Sequence, residues 1–306
     1  MVDRPICTYC ASPAVFVDRA SDLHLCGAHL KDSVERRVYE EIKLYATQGR
    51  LGIAFSGGKD STALLAALSS LQKNLNISLI ALTIDEGITG YREETIAHAK
   101  EVCKILAIHH KIISFKEIFG WSLDDIMSVS CNAHACTVCG ILRRRALEVL
   151  AEREGISLIA TGHNQNDIAQ TFLMNLFSAD LKKMVAGSFG TEGSSRFSQR
   201  IKPLFAVSER EVTIYGMLCG LFKELVECPY AQYALRGEVR ALLSDLEYHR
   251  PGTISNIALC EREVRDELLR RRETTGVSPL IPCTICGWPG SHDICQVCTI
   301  LSRVVS

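Results

Sequence analysis

The chain has 306 residues, 34 Lys+Arg against 35 Asp+Glu, a formal net charge of −1, 47% hydrophobic residues and 14 Cys. That length can bury a sizeable core as one large domain with appendages or as two domains. The charge balance excludes a global basic field, so any nucleic-acid contact must come from local patches. No charged leader precedes an apolar signal core, and the apolar run around residues 77–84 is far shorter than the roughly 20 residues of a membrane helix; a soluble, cytoplasmic protein without a membrane partner is expected.

Residues 1–32 hold Cys7, Cys10, Cys26 and His29, are too polar to form an apolar core, and read as a zinc finger. Val34, Val38, Ile42 and Tyr45 then recur near helical spacing, predicting a linking amphipathic helix over 33–50 that stops at Gly49. A catalytic domain follows over 51–205, where strand candidates 51–55, 77–84, 108–114 and 157–161 alternate with helical patterns. This is the α/β pattern of a doubly wound parallel sheet. Ligand loops then belong at the carboxyl ends of the strands, where Ser56, Asp85-Glu86-Gly87 and Gly162-His163-Asn164 fall.

The most informative turn is Ser56-Gly57-Gly58-Lys59-Asp60-Ser61-Thr62, between the first strand and its helix. Its glycines let the backbone bend around an anion, its hydroxyls and the helix N-terminus donate to phosphate oxygens, and Lys59 adds charge. The string differs from the Walker form, because Lys59 is followed by Asp60 in a shorter loop. It resembles the pyrophosphate loop of enzymes that split ATP into AMP and pyrophosphate.

After Asn164 a helical pattern runs to Leu176, and a Gly-, Ser- and Arg-rich loop over 187–200 is expected to act as a lid or RNA contact. Helices continue over 206–275, and residues 276–306 form a zinc ribbon of Cys283, Cys286, Cys295 and Cys298. Both terminal sets fill all four positions of a tetrahedral ion, so both are structural. Cys136 and Cys139 form a lone Cys-x-x-Cys pair, with Cys131 upstream and Cys228 far along the chain. No thioredoxin-like pattern surrounds that pair, while a third zinc site and an iron–sulfur cluster with one open iron both remain compatible with the spacing. Cys103, Cys219 and Cys260 sit in apolar helical contexts and are expected in the core. Local basic patches occur at Arg143-Arg144-Arg145, Lys182-Lys183, 196–202 and Arg270-Arg271-Arg272.

Taken together, residues 56–62, Ile84-Asp85-Glu86-Gly87-Ile88, Gly90-Tyr91-Arg92, Cys136-Thr137-Val138-Cys139-Gly140 with Arg143-Arg144, Thr161-Gly162-His163-Asn164 and Glu227-Cys228-Pro229-Tyr230 spell out a family. The chain resembles the tRNA 2-thiouridine synthetases grouped with TtuA and the cytosolic wobble-uridine thiolation proteins, over nearly its whole length. The arginine pair after Cys139-Gly140 brings it closer to the wobble branch than to the T-loop branch.

The resemblance implies ATP-dependent adenylation of a tRNA uridine followed by sulfur insertion at C2. It assigns ATP to Ala54, Ser56, Gly57, Gly58, Lys59, Asp60, Ser61, Ile84 and Gly162, with Mg2+ on the phosphates. It assigns a 4Fe-4S cluster with three protein ligands to Cys136, Cys139 and Cys228, and catalytic roles to Asp167, Lys59 and Arg143. Asn166 departs from the family's usual acidic pair, and Cys131 has no counterpart in it. The implied partners are tRNA, ATP, a sulfur donor that is either a ubiquitin-like protein thiocarboxylate or inorganic sulfide, and a second subunit in a homodimer or a heterodimer with a paralogue. Other adenylating chemistry on this scaffold, or a zinc-ribbon RNA-binding scaffold without catalysis, each leaves one set of these residues unused.

Overall fold

A computed structural model describes residues 5–45, 49–129, 135–180, 197–230, 236–275 and 280–305. The chain opens with a hairpin of β1 (Phe16–Asp18) and β2 (Leu23–Leu25), paired antiparallel, and passes directly into α1 (Gly27–Lys43). That helix starts earlier than the expected residue 33. Cys26 is extended at its N-cap (φ −73, ψ 171) and hands over to the helix at once, so His29 lies in its first turn.

The body follows in the order β3 (Gly49–Ala54), α2 (Lys59–Leu75), β4 (Ile77–Asp85), α3 (Arg92–Ile105), β5 (His109–Ser114), α4 (Phe115–Phe119), α5 (Leu123–Val129), α6 (Ala135–Glu154), β6 (Leu158–Thr161), α7 (Gln165–Phe177) and β7 (Gln199–Ile201). The remaining elements are α8 (Glu209–Leu218), α9 (Arg236–His249), α10 (Thr253–Thr275), the short hairpin β8 (Ile281–Pro282) and β9 (Pro289–Gly290), and α11 (Gln296–Val305).

The five central strands form a parallel sheet in the order β5-β4-β3-β6-β7. Because side chains alternate along a strand, β4 sends Leu79 and Ala81 into a core shared with α1, α2, α3 and α8. Its Ile80, Leu82 and Ile84 enter a second core shared with α6 and α11. Burial on both faces explains why this strand reads as a continuous apolar run. The strand order reverses between β3 and β6, and in such sheets the ligand crevice opens at that switch point, outside the carboxyl ends.

Two expectations are corrected here. Residues 199–201 form the edge strand β7, not loop, and Arg200 is spent on Glu148 of α6 (2.7 Å), whose other oxygen accepts from the Ser198 backbone N–H (2.8 Å). Residues 181–196, with Lys182, Lys183, Arg196 and most of the expected lid, lie outside the described residues. Cys260 is exposed, because it falls off the inward stripe of Ile254, Ala258 and Glu261 on α10, whereas Cys103 is buried and Cys219 half-buried as the C-cap of α8.

Candidate active site

The turn after β3 has the form its glycines dictate. Gly57 has φ +83°, and a Cβ there would lie 2.3 Å from the Thr95 carbonyl oxygen of α3, so only glycine fits. The Gly58 N–H donates to Ser56 Oγ (3.2 Å), and Ser61 Oγ donates to Gly58 O (3.0 Å), which leaves Ser56 as the donor to Ser61 Oγ (3.1 Å). Gly58 is the N-cap of α2 and offers no side chain to the first-turn amides, so these face the crevice at the positive end of the helix. Lys59 begins the helix; its ammonium sits between Asp60 (2.8 Å) and Glu209 at the start of α8 (2.9 Å). Those two carboxylates raise the lysine above its ordinary value against the opposing pull of desolvation.

The turn after β6 closes on the same place. A Cβ on Gly162 would lie 2.9 Å from Ser61 N and 3.1 Å from the Asp60 carbonyl carbon, and Asn164 Nδ2 donates to Asp60 Oδ1 (3.0 Å). Asn164 and Asp167 form a capping box at the start of α7, each side chain accepting the other's backbone N–H (3.1 and 3.2 Å). The second oxygen of Asp167 faces Arg236 Nη1 of α9 (3.5 Å). Asn166 is turned away, accepting the Glu209 backbone N–H (3.0 Å); in this chain it braces α8. His163 stands exposed at the mouth of the crevice. The protein around its ring disfavours the charged form, and Lys202, Arg236, Arg143 and Arg200 push the same way, so the imidazole is held neutral.

The turn after β4 supplies a connection that the sequence analysis did not assign. Glu86 and Arg92 are buried and ion-paired (2.8 Å), and Arg92 also donates to the carbonyls of Ser56 (3.3 Å) and Ile84. The other Glu86 oxygen faces Arg143 of α6 (3.7 Å). One carboxylate thus joins the floor of the glycine turn to the helix that carries Cys136 and Cys139. The only local signal was the recurrence of Glu86 and Arg92 beside turn glycines.

Cys136 and Cys139 lie in the first turns of α6, and Cys228 comes from the segment after α8. Cys136 Sγ is 3.5 Å from the Tyr230 carbonyl, and Tyr230 is anchored through its hydroxyl to Asp124 of α5 (2.9 Å). Burial pushes the Cys139 thiol up to about 12, with Arg143 pulling the other way. The terminal groups differ. The ligand atoms of Cys7, Cys10, Cys26 and His29 all lie within 4.8 Å of one another, as do those of Cys283, Cys286, Cys295 and Cys298. Sulfur and imidazole donors gathered that closely fit one tetrahedral zinc ion each. Among the described residues only these two groups meet that spacing, so the sulfurs of Cys136, Cys139 and Cys228 do not all lie within 4.8 Å of one another. Three thiolates on three different irons of a cubane need that greater separation. Cys131 lies outside the described residues.

A family model described as a PP-loop domain matches residues 30–220. The tRNA 2-thiolation protein NcsA of Haloferax volcanii is 35% identical over 97% of this chain and 98% of its own length. The chain belongs to the PP-loop tRNA 2-thiolation family. Cytoplasmic tRNA 2-thiolation protein 1 of Drosophila melanogaster, another member, is 37% identical over 90% of this chain and 81% of its own. The solved U34-tRNA thiolase NcsA from Methanococcus maripaludis, with its 4Fe-4S cluster, matches this family member with a TM-score of 0.84 at 28% identity, covering 99% of this chain and 97% of that one. Family membership agrees with the resemblance read from the motifs. Among the described residues, no helix is long and apolar enough to cross a membrane.

Proposed function

We propose that the chain is an ATP-dependent tRNA-uridine 2-sulfurtransferase acting on the wobble uridine. The observation that carries this reading is the Glu86–Arg92–Arg143 connection, which brings a phosphate-binding turn and a three-cysteine set to one crevice edge. ATP lies with its phosphates on residues 56–62, its Mg2+ offsetting their charge, its adenine by Ala54 and Ile84, and Gly162 against the nucleotide. The uridine O2 attacks the α-phosphorus and pyrophosphate leaves; Lys59 and Arg143 stabilise the negative charge that develops on the phosphoryl oxygens. The uridine N3 proton passes to water as O2 is adenylated, since His163 beside this turn is held in its neutral form.

Cys136, Cys139 and Cys228 would hold a 4Fe-4S cluster, which when bound supplies a Lewis-acidic iron with a vacant position for incoming sulfide. Sulfide adds at the activated C2, the C2–O bond to AMP breaks, and N3 regains a proton. Asp167 keeps Arg236 oriented over this edge and fixes the Gly162–Asn164 turn through its capping box. The terminal modules hold structural zinc ions, and Lys202 with Arg236 contributes positive charge toward the tRNA backbone. The sulfur donor is a protein thiocarboxylate or free sulfide, and the enzyme works in the cytoplasm.

The test is a reaction of anaerobically prepared protein with ATP, sulfide and an unmodified tRNA transcript, read by pyrophosphate release and by mass spectrometry of mapped RNA fragments. Sulfur at the wobble uridine is expected. Sulfur confined to a T-loop uridine, or pyrophosphate release without thiolation, overturns the assignment.

A further inference from the structure

Helix α6 serves two sites at once. Cys136, Cys139 and Arg143 follow i, i+3, i+7 and share one face, while Val138, Leu142 and Arg145 follow i, i+4, i+7 and share another. At 3.6 residues per turn the two stripes lie about 130° apart. Val138 and Leu142 are buried in the same core as Cys283, Cys295, Val297 and Val304 of the C-terminal module. Arg145 lies half-buried on that second face and reaches the metal-binding sulfurs themselves: Nη1 donates to Cys286 Sγ (3.8 Å) and Nη2 to Cys295 Sγ (3.6 Å). Its guanidinium also lies 4.1 Å from the centroid of the Trp288 ring, in the turn between the two cysteine pairs, and Phe197 meets the same ring edge-on (5.9 Å).

Four thiolates around one Zn2+ leave a net negative charge, which hydrogen bonds from a cation offset and orient. A planar fork can address two sulfurs while stacking on an indole; an ammonium cannot. We propose that Arg145 is the positioning residue by which the zinc-loaded C-terminal module holds α6 in place, so that the Cys136 and Cys139 thiolates keep the spacing the cluster needs. The cluster half of this inference rests on the function proposed above; the zinc half does not.

The test follows zinc release to a chromophoric chelator and iron–sulfur absorbance together, in the full chain purified anaerobically with its metals. Two release phases are expected, the C-terminal one assigned with Cys7→Ser, which removes the N-terminal ion. Arg145→Ala should speed the C-terminal phase at least about tenfold, the low end for removing a partner of metal ligands. It should leave the N-terminal phase unchanged, which also reports an intact fold, and cluster absorbance should decay in step with the C-terminal zinc. Arg145→Lys should recover at most part of the loss. An unchanged C-terminal phase, or full recovery by lysine, overturns the two-sulfur fork. Faster zinc release with a persistent cluster overturns the coupling. A wild-type chain without any cluster would refute the proposed function instead, and the zinc phases would still decide what Arg145 does.

Discussion

Lys59 of the phosphate turn is ion-paired at 2.9 Å with Glu209, the first residue of a helix that comes after the fifth strand of the sheet. Asn166 accepts the Glu209 backbone N–H, and so sets the start of that helix against α7. The ammonium is therefore held at its tip by an element remote in sequence, and its long stem is steered toward the crevice. Lys59→Ala should lower tRNA-dependent pyrophosphate release by roughly 10²–10³-fold, the usual cost of losing one preorganised charge donor. Glu209→Gln removes only the steering charge and should raise KM for ATP by roughly tenfold, the equivalent of one charge-assisted hydrogen bond, with the melting temperature unchanged. An unaltered KM in that variant would show that Glu209 merely neutralises surface charge.

The two glycines at the switch point should fail for different reasons. Gly57→Ala forces a Cβ against the Thr95 carbonyl from a left-handed backbone, so it should cost about 1–3 kcal/mol in stability as well as ATP binding. Gly162→Ala meets the backbone of Ser61 and Asp60 without a positive φ, so the two turns spread and ATP affinity falls more than stability. Urea unfolding and ATP titration of both variants measure the contrast; equal losses in both assays would contradict it.

Alanine at Cys136, Cys139 or Cys228 should abolish iron–sulfur absorbance and thiolation, yet leave ATP binding and both terminal zinc ions, because the phosphate turn uses no thiolate. Cys131→Ala should retain cluster and activity. If Cys131 proves necessary for the cluster, four cysteines close it, no iron is open to sulfide, and the proposed chemistry fails.

His110 gives the stability curve an acid limb. Thr83 Oγ1 donates to the Phe55 carbonyl (2.6 Å), so the histidine Nε2–H must be the donor to that hydroxyl (2.7 Å), which fixes the tautomer. Burial first, then Lys100 and His109, push this imidazole down to about 4. The unfolded chain binds the proton near pH 6.5 and the native state does not, so stability present above that pH is lost as pH falls from about 6.5 towards about 4. His110→Gln should shrink the drop in urea midpoint across that window; an identical drop would place the effect on other groups.

Short spacings were enough to reveal the strand–glycine–helix turn at residues 56–62, four of the five sheet strands, and both sets of four potential metal ligands. Each rests on residues close in the chain, where φ preference, side-chain alternation and paired Cys-x-x-Cys turns act locally. Local patterns missed β7, a three-residue edge strand too short to show a period, and placed the start of α1 too late because His29 inside the first turn broke the apolar pattern. Long-range packing alone sets Glu86 between Arg92 and Arg143, Lys59 against Glu209, Asn166 against α8 and Arg145 against the Cys286 and Cys295 sulfurs. Those are contacts that charged or polar side chains make with groups on separate elements, and a charged residue carries no mark of its partner in its own neighbourhood. The sheet order chooses it, by setting which carboxyl-end turns come within a few ångströms of each other.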